Sequence, residues 1–283
     1  AATSFSDKIQ FTWLARHEKL NINRLGAEWV NELEVGTGYL FRTEFYQPLD
    51  YDRHFFLAPF ATIGRSFPEV FKKRRGIASY DMENWQIGVE TGVNFNNQAE
   101  LRGGIQYNHT NARLRIGDST ALPTGQIQEN LLTFKFGYDS LDDKVFATQG
   151  LKINLDGRLY HKAIGSDLNY QQATFYARQH SPLLSSMILV SDLTWATSFN
   201  SNPPEYQNFS AGGFDLLSGY PTDEIAGRQA LVMRLGGLIS SSYLPKFGAN
   251  DTRLLALIHA GNVWDRFREI DVTNLRYGGT AAI

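Results

Sequence analysis

Residues 150–159 read GLKINLDGRL. Leu151, Ile153, Leu155 and Leu159 fall on one side of an extended chain, and Lys152, Asn154, Asp156 and Arg158 on the other. Side chains along a strand alternate between faces, so this segment is a β-strand with one apolar and one wet face. The same period of two returns elsewhere. Residues 131–139 set Leu132, Phe134, Phe136 and Tyr138 against Thr133, Lys135 and Asp139. Residues 84–95 set Trp85, Ile87, Val89, Val93 and Phe95 against Asn84, Gln86, Glu90 and Asn94. Residues 99–108 set Leu101, Ile105 and Tyr107 against Glu100, Arg102, Gln106 and Asn108.

Extending this reading gives about fourteen strands, near 8–16, 24–36, 38–48, 53–66, 70–81, 84–96, 99–117, 127–139, 150–161, 168–180, 185–199, 229–241, 252–264 and 275–283, with ends good to two to four residues. Phe95-Asn96-Asn97-Gln98 reads as a tight hairpin. Pro123, Pro182, Pro203, Pro221 and Pro245 fall at run ends or in loops, while Pro59 sits inside a run and suggests a bulge or an edge. No long helix is expected. No linker or shift in composition divides the 283 residues, so one domain is expected over 1–283.

Composition narrows the class. The net charge of −2 offers no sequence-wide attraction to nucleic acid. The chain has no cysteine, which excludes a disulfide scaffold, a thiolate zinc site and a cysteine nucleophile. The longest uncharged run, Gln179 to Ser191, is too short for a membrane-spanning helix of about twenty residues. Ala1 to Lys8 lacks a basic start followed by an apolar stretch, so it is not read as a signal peptide; a mature segment or excised domain is expected.

Two architectures satisfy the alternation. A sandwich buries the apolar face against a second sheet. A transmembrane barrel puts it into lipid and keeps the other face wet around a lumen. Three features favour the barrel. Charges such as Arg158, Lys135 and Glu100 recur on the polar faces. The strands run to about ten residues or more. Trp85, Phe95, Tyr107, Tyr138, Tyr160, Phe199 and Trp264 fall near run ends, as interface girdles do.

Three segments resemble the superfamily of outer-membrane assembly factors and two-partner-secretion pores, sixteen-stranded barrels that insert or export polypeptides. Tyr138-Asp139-Ser140-Leu141-Asp142-Asp143-Lys144-Val145-Phe146-Ala147-Thr148-Gln149-Gly150 is similar to the family's periplasmic turn, an Asp-rich stretch leading to Phe-Pro-Thr-x-Gly; Ala147 stands where the family has proline. Within the long loop Asn200 to Arg228, Gly212-Gly213-Phe214-Asp215-Leu216-Leu217-Ser218-Gly219-Tyr220 resembles the sixth extracellular loop, which folds back into the lumen with a Val-Arg-Gly-Phe/Tyr tip. Leu257-Ile258-His259-Ala260-Gly261-Asn262-Val263-Trp264 resembles the strand-thirteen motif Phe-x-Asp-x-Gly followed by Val-Trp. In the family the loop arginine pairs with the strand aspartate. Ser218 and His259 stand at those positions, so a neutral hydrogen bond is expected instead. With the first strand starting at the periplasm, the Asp-rich turn follows the eighth strand and the long loop the eleventh, the sides the resemblance requires.

A narrower resemblance joins Asn23-Arg24-Leu25-Gly26-Ala27-Glu28-Trp29, Glu44-Phe45-Tyr46-Gln47-Pro48-Leu49 and Leu217-Ser218-Gly219-Tyr220-Pro221-Thr222-Asp223-Glu224-Ile225-Ala226-Gly227. Together these look like the C-terminal barrel of patatin-like autotransporters, subtype d of type V secretion. The resemblance implies an N-terminal lipase passenger, a transport-associated domain and then the barrel in the outer membrane of a Gram-negative bacterium. Its partners would be outer-membrane lipid, the chain's own N-terminal domains and the barrel assembly machinery. It also implies sixteen strands, so the last residues, Leu275 to Ile283, read as strand fourteen of a barrel truncated at its C-terminus.

No Gly-x-Ser-x-Gly elbow is present, so no hydrolase site is expected in this domain. Neither a cofactor nor a metal is expected: His54, His109, His161 and His180 are scattered, and His259 reads as a lumen-facing residue that holds a loop. Lys72-Lys73-Arg74-Arg75 reads equally as a solvated turn or a contact for lipid phosphates. Glu28, Glu32 and Glu34 share one strand face, shaping lumen charge or keeping that face wet. Trp195 and Trp264 read as interface anchors. Three function classes follow: a secretion and membrane-anchor module for a fused passenger, an assembly insertase or two-partner pore acting in trans, and a barrel enzyme or diffusion pore.

Overall fold

The computed structural model describes residues 2–5, 9–72, 75–96, 98–117, 124–144, 146–184, 186–213, 216–220, 224–240 and 253–282. Its strands are β1 (Ala2–Phe5), β2 (Ile9–Lys19), β3 (Glu28–Val35), β4 (Tyr39–Pro48), β5 (Phe55–Ser66), β6 (Glu69–Lys72), β7 (Arg75–Phe95), β8 (Ala99–Ile116) and β9 (Gly125–Gln128). They continue with β10 (Leu131–Asp139), β11 (Gly150–Tyr160), β12 (Tyr170–Leu184), β13 (Met187–Thr197), β14 (Phe209–Ser210), β15 (Ala226–Gly227), β16 (Gln229–Ser240), β17 (Arg253–Trp264) and β18 (Arg276–Ala282). The helical elements among the described residues are single 3-10 turns. No helix is long and apolar enough to cross a membrane, which says nothing of strands.

The chain divides into two compact units, Ala1–Phe136 with Asp156–Gln172 and Ser201–Asn208, and Gly137–Leu155 with Ala173–Asn200 and Phe209–Ile283. In the first, β1-β2-β3-β4-β5-β7-β8 lie side by side in that order, with β6 on β7 and β9 on β8. In the second, the order is β12-β13-β16-β17-β18, and β14 pairs separately with β15. β10 and β11 contribute residues to both units. The strand pairings within each unit are antiparallel and join consecutive strands, except that β5 meets β7 past the short β6 and β13 meets β16 past the short β14 and β15.

The described strands depart from the expected set in three places. Segments 70–81 and 84–96 are not two strands. β7 runs unbroken through Asp81-Met82-Glu83 and pairs with β8 from Ser79↔Ile116 to Phe95↔Ala99, so its first part only forms a hairpin with the short β6. Segment 127–139 breaks at Glu129-Asn130, both buried, into β9 and β10. Pro59 makes neither a bulge nor an edge. β5 lies between β4 and β7, and its register with β4 is the same on both sides of the proline, from Glu44↔Phe60 to Gln47↔Leu57. The ladder skips the pairs between, as a residue without an N–H requires. One girdle reading also shifts: Trp85 sits mid-strand in β7, although it pairs with Ile63 near the end of β5. β2, the expected first strand, is flanked by β1 and β3. Pro123, Pro221, Pro245, Asn97 and the pair Lys73-Arg74 lie outside the described residues.

Each unit is inside-out for a protein in water. In β5, Phe55, Leu57 and Ile63 are exposed while Thr62 on the opposite face is buried. In β17, Ile258 is 68% exposed and His259, the next residue, 2%. Exposed rows of this kind continue through Ile87, Val89, Ile105, Leu132, Phe134 and Leu235. A contiguous apolar surface of this extent is what lipid, not water, tolerates. The covered face instead carries charge. Glu90, whose side chain is wholly buried, receives Lys135 Nζ at 2.6 Å and lies 3.5 Å from Arg102 Nη1. Arg102 also pairs with Glu44 at 3.2 Å and with Glu100. Phe56 and Phe60 join this face by lying against Gly92 and Gly88, where an added Cβ would meet the rings at 2.6 and 2.7 Å.

Candidate functional site: the long loop and its seat

The long loop leaves β13 after Thr197 and returns at β16. Its stretch within the second unit is ordered by its own backbone. β14 pairs with β15, Ala211 N donates to Ile225 O at 2.9 Å, Gly213 N to Tyr220 O at 2.9 Å and Leu217 N to Ala211 O at 2.9 Å. Gly212 bridges to Leu217. These bonds fold the motif into a knot that drives Leu217 inward. Leu217 is completely buried among Ala211, Ile225 and Val232, with Leu216, Tyr220 and Val263 around it. Gly219 holds φ +95 with nothing within 4 Å of where a Cβ would stand, so its need for glycine is conformational rather than spatial.

The next residue after Leu217 reaches β17. Ser218 Oγ lies 3.3 Å from His259 Nδ1, and Ser218 N donates to the same nitrogen at 3.4 Å. The Ser218 hydroxyl donates to Gly279 O at 2.8 Å, the shorter contact. That commits the hydroxyl proton to a carbonyl of β18 and makes the pair a clasp rather than a nucleophile and its base. Gly278 permits the approach: an added Cβ would stand 2.5 Å from Ser218 O. Tyr220 lies under the Arg276 guanidinium at 5.4 Å. Gly261 faces β16 instead of the loop; its Cβ would meet Leu231 O at 2.5 Å. Phe214, Asp215, Pro221, Thr222 and Asp223 lie outside the described residues.

His259 belongs to a lateral row. Pairing sets Arg178 opposite Asp192, Asp192 opposite Arg234, Arg234 opposite His259 and His259 opposite Gly278, across β12, β13, β16, β17 and β18. Asp192, 5% exposed, accepts from Arg178 Nε at 2.7 Å and Nη2 at 3.0 Å, and from Arg234 Nη2 at 2.6 Å. The cation missing from the loop is thus present in the row, on β16. Sequence reasoning did not single out Arg178, Asp192, Arg234 or Gly278. Each looks like an ordinary wet-face residue until the register aligns them.

The Asp-rich turn stands apart from this row in the second unit. Asp139 accepts from Leu141 N at 3.1 Å and pairs with Lys152 at 3.1 Å. Asp142 accepts from Thr148 N at 2.7 Å, from Gln149 N at 3.2 Å and from the Thr148 hydroxyl. These donors, the Thr148 hydroxyl foremost, hold its carboxyl down at about 2. Gly150, at φ +118, brings the chain back so close that a Cβ would stand 2.3 Å from Ser140 O. Phe146 lies under Arg253, 4.5 Å from guanidinium to ring, and Arg253 Nη1 donates to its carbonyl at 3.2 Å. The Ala147 carbonyl accepts from His180 Nδ1 at 2.7 Å. In the other unit, Asp50, Asp52 and His54 bring ligand atoms within 4.8 Å of one another, but Asp50 is already committed to the His54 and Phe55 amides and the His54 ring.

The motifs take the expected places in the strand order. Counting β1 and omitting the short β6, β9, β14 and β15, the Asp-rich turn follows the eighth strand, the long loop the eleventh, and His259 lies on the thirteenth. Two departures cancel here, since β7 absorbs one expected strand and β1 adds one. The family model described as the Omp85 superfamily domain matches residues 23–271. The chain belongs to the Omp85 superfamily. Among solved structures this Omp85 chain is similar to BamA from Haemophilus ducreyi lacking POTRA domains 1–3, with TM-score 0.78 and 17% identity over 98% of this chain and 61% of that one. It is also similar to CdiB from Acinetobacter baumannii (TM-score 0.66, 10% identity, 99% of this chain and 51% of that one). For CdiB from Escherichia coli the values are 0.62, 14%, 96% and 52%. The chain spans between half and three-fifths of the length of these structures. At such identities the likeness is one of fold: an antiparallel transmembrane β-barrel.

Proposed function

We propose that this Omp85 chain is an outer-membrane barrel of a Gram-negative bacterium that anchors and helps export a polypeptide fused to its N-terminus. On the sequence resemblance that polypeptide is a patatin-like phospholipase passenger joined through a transport-associated domain. The observation that carries the export reading is the seat of the long loop. Its tip packs Leu217 against β16 and sets Ser218 on His259, on the face of β17 opposite exposed Ile258. A loop seated on the polar face of a lipid-facing sheet would stand where a passing chain must go, and the neutral Ser218 bonds at its tip favour release. Nothing in such a barrel supplies energy, so export draws on folding of the passenger outside.

The test is surface display in intact cells. Leu217→Asp breaks the seat, and passenger exposed to added protease should fall while the amount of heat-modifiable barrel in the membrane stays unchanged. Undiminished display would sink the export role of the loop. The likeness to BamA and CdiB favours a second reading, action on other polypeptides in trans. Depleting the protein then lowers other outer-membrane proteins, whereas a dedicated anchor leaves them unaltered.

A further inference from the structure

The first half of the long loop, residues 201–208, is held in the first unit at a different place from Ser218, and a buried carboxyl is the centre of that hold. Glu129 lies in the two-residue break between β9 and β10 and is 3% exposed. One carboxylate oxygen accepts from Tyr170 Oη at 2.9 Å and from Tyr206 Oη at 3.3 Å, and Thr110 also bonds to the carboxyl. Tyr170, at the start of β12, is fixed by stacking on Tyr160, with centroids 4.0 Å apart. Tyr206 is the loop's own residue, in the 3-10 turn Glu205–Gln207, and packs on the cluster of Ala78, Tyr80, Met82 and Ala112. Next to it, Gln172 Nε2 donates to Gln207 O at 2.8 Å, and Ser201 Oγ donates to Gln171 O at 3.0 Å.

We propose that Glu129 and Tyr206 form a proton-operated clasp on the first half of the long loop, closed while Glu129 carries a proton and loosened when it ionises. The groups that face Glu129 are hydroxyls or anions. Tyr170, Tyr206 and Thr110 bond to it, Asp167 repels it, and Tyr160 stands behind Tyr170. The charges further out are already spent: Arg158 pairs with Asp156 at 2.8 Å, and Asp167 accepts from Gln128 N at 2.7 Å. A carboxylate with no cation of its own in a closed pocket keeps its proton longer than one in water. Burial raises the Glu129 carboxyl above its ordinary value, and the hydroxyl bonds only partly offset this. Because the clasped state holds the proton more tightly than the open one, the clasp is firmest below the ordinary glutamate value of about 4.3. It weakens as pH rises through the raised value. Leaving the pocket hydrates the carboxylate and frees Tyr206, and with it the start of the loop, while Ser218 and His259 are untouched.

The absence of cysteine makes the experiment direct. Glu205→Cys in the purified full-length protein carries a nitroxide on the loop, and Val272→Cys carries one on a separate exposed turn as control. From pH 4.5 to 8 the mobile fraction at the first site should rise several-fold, with the control unchanged. Glu129→Gln, which still accepts the hydroxyl bonds but cannot ionise, should hold the label immobile and flat with pH. Tyr206→Phe should leave it mobile at both ends of the range. A flat profile in the parent, or an undiminished rise in Glu129→Gln, overturns the clasp.

Discussion

Exchanging Ser218 for Arg and His259 for Asp rebuilds, in this chain, the ion pair that the resembling family places between loop and strand. The row around His259 sets the outcome of each step. Arg178 and Arg234 both bind one carboxylate, Asp192, so a positive side chain already stands beside His259. Ser218→Arg alone brings a further cation over β17, beside Arg234, and should destabilise. His259→Asp alone loses the Ser218 contacts but gives Arg234 a second carboxylate on the paired residue of the next strand. With both changes, a unit-charge pair about 4 Å apart at an effective dielectric near 20 gains about 4 kcal/mol before desolvation and side-chain ordering. A coupling of about 1–3 kcal/mol should survive those costs. The assay is a double-mutant cycle on the urea midpoint of heat-modifiable migration, at two salt concentrations. A double variant that equals the sum of the single changes within about 0.5 kcal/mol refutes the reasoning.

Glu90→Ala removes the wholly buried partner of Lys135 while Arg102 keeps Glu44 and Glu100, and should cost about 1–2 kcal/mol in equilibrium unfolding; a loss below about 0.5 kcal/mol would show the network is not coupled there. Gly92→Val places a Cβ 2.1 Å from Leu101 O and 2.6 Å from the Phe56 ring, so it should cost about 3 kcal/mol, against about 1 kcal/mol for Gly219→Ala, where only φ resists; the same unfolding assay orders the two. Because the folded Asp142 carboxyl sits at about 2, below its ordinary value of 3.8, its caps are fully present above pH 3.8 and are lost as pH falls toward 2. Exchange of the Thr148 and Gln149 amides, corrected for intrinsic rates, should report that window and lose protection at all pH values in Asp142→Ala. Leu217→Ala should cost about 2–5 kcal/mol and Ser218→Ala about 1 kcal/mol, read as loop accessibility to protease and as unfolding midpoints.

Alternation made the strands legible because lipid and lumen impose opposite polarity on successive residues. It failed where that imposition stops. Asp81-Met82-Glu83 reads as a break because the segment is polar on both sides, yet Arg65 pairs with Asp81 at 2.7 Å and Met82 pairs with Ser66, so the strand simply continues. Glu129 reads as a strand residue in an alternating run, and its burial against three hydroxyls is tertiary. The loop motif and His259 were visible through resemblance, since close approach and a turn demand particular residues at fixed places. Gly278 was not, because the need for glycine there arises from Ser218, sixty residues away along the chain but in contact across it.

The same logic explains how a loop stays seated after losing the charge that seats its relatives. Had Ser218 been arginine here, it would have entered a row in which Asp192 is already shared by two guanidiniums. A short neutral side chain avoids that repulsion, and its hydroxyl finds a carbonyl on β18 instead. The two neutral hydrogen bonds of Ser218, to Gly279 O and His259 Nδ1, contribute about 0.5–1.5 kcal/mol each. Complete burial of Leu217 contributes about 1.5–3 kcal/mol, and the strand row leaves that packing undisturbed by keeping its charges paired to one another. In this chain the cations lie on the wall, at Arg178 and Arg234, and the loop tip carries Ser218. The wall row locks β12, β13 and β16 to each other, while the loop tip is held by Leu217 packing, neutral Ser218 bonds and the Tyr220 ring under Arg276. A tip seated by Leu217 packing and neutral Ser218 bonds leaves its place on β17 at a lower electrostatic cost than a tip held by a buried ion pair.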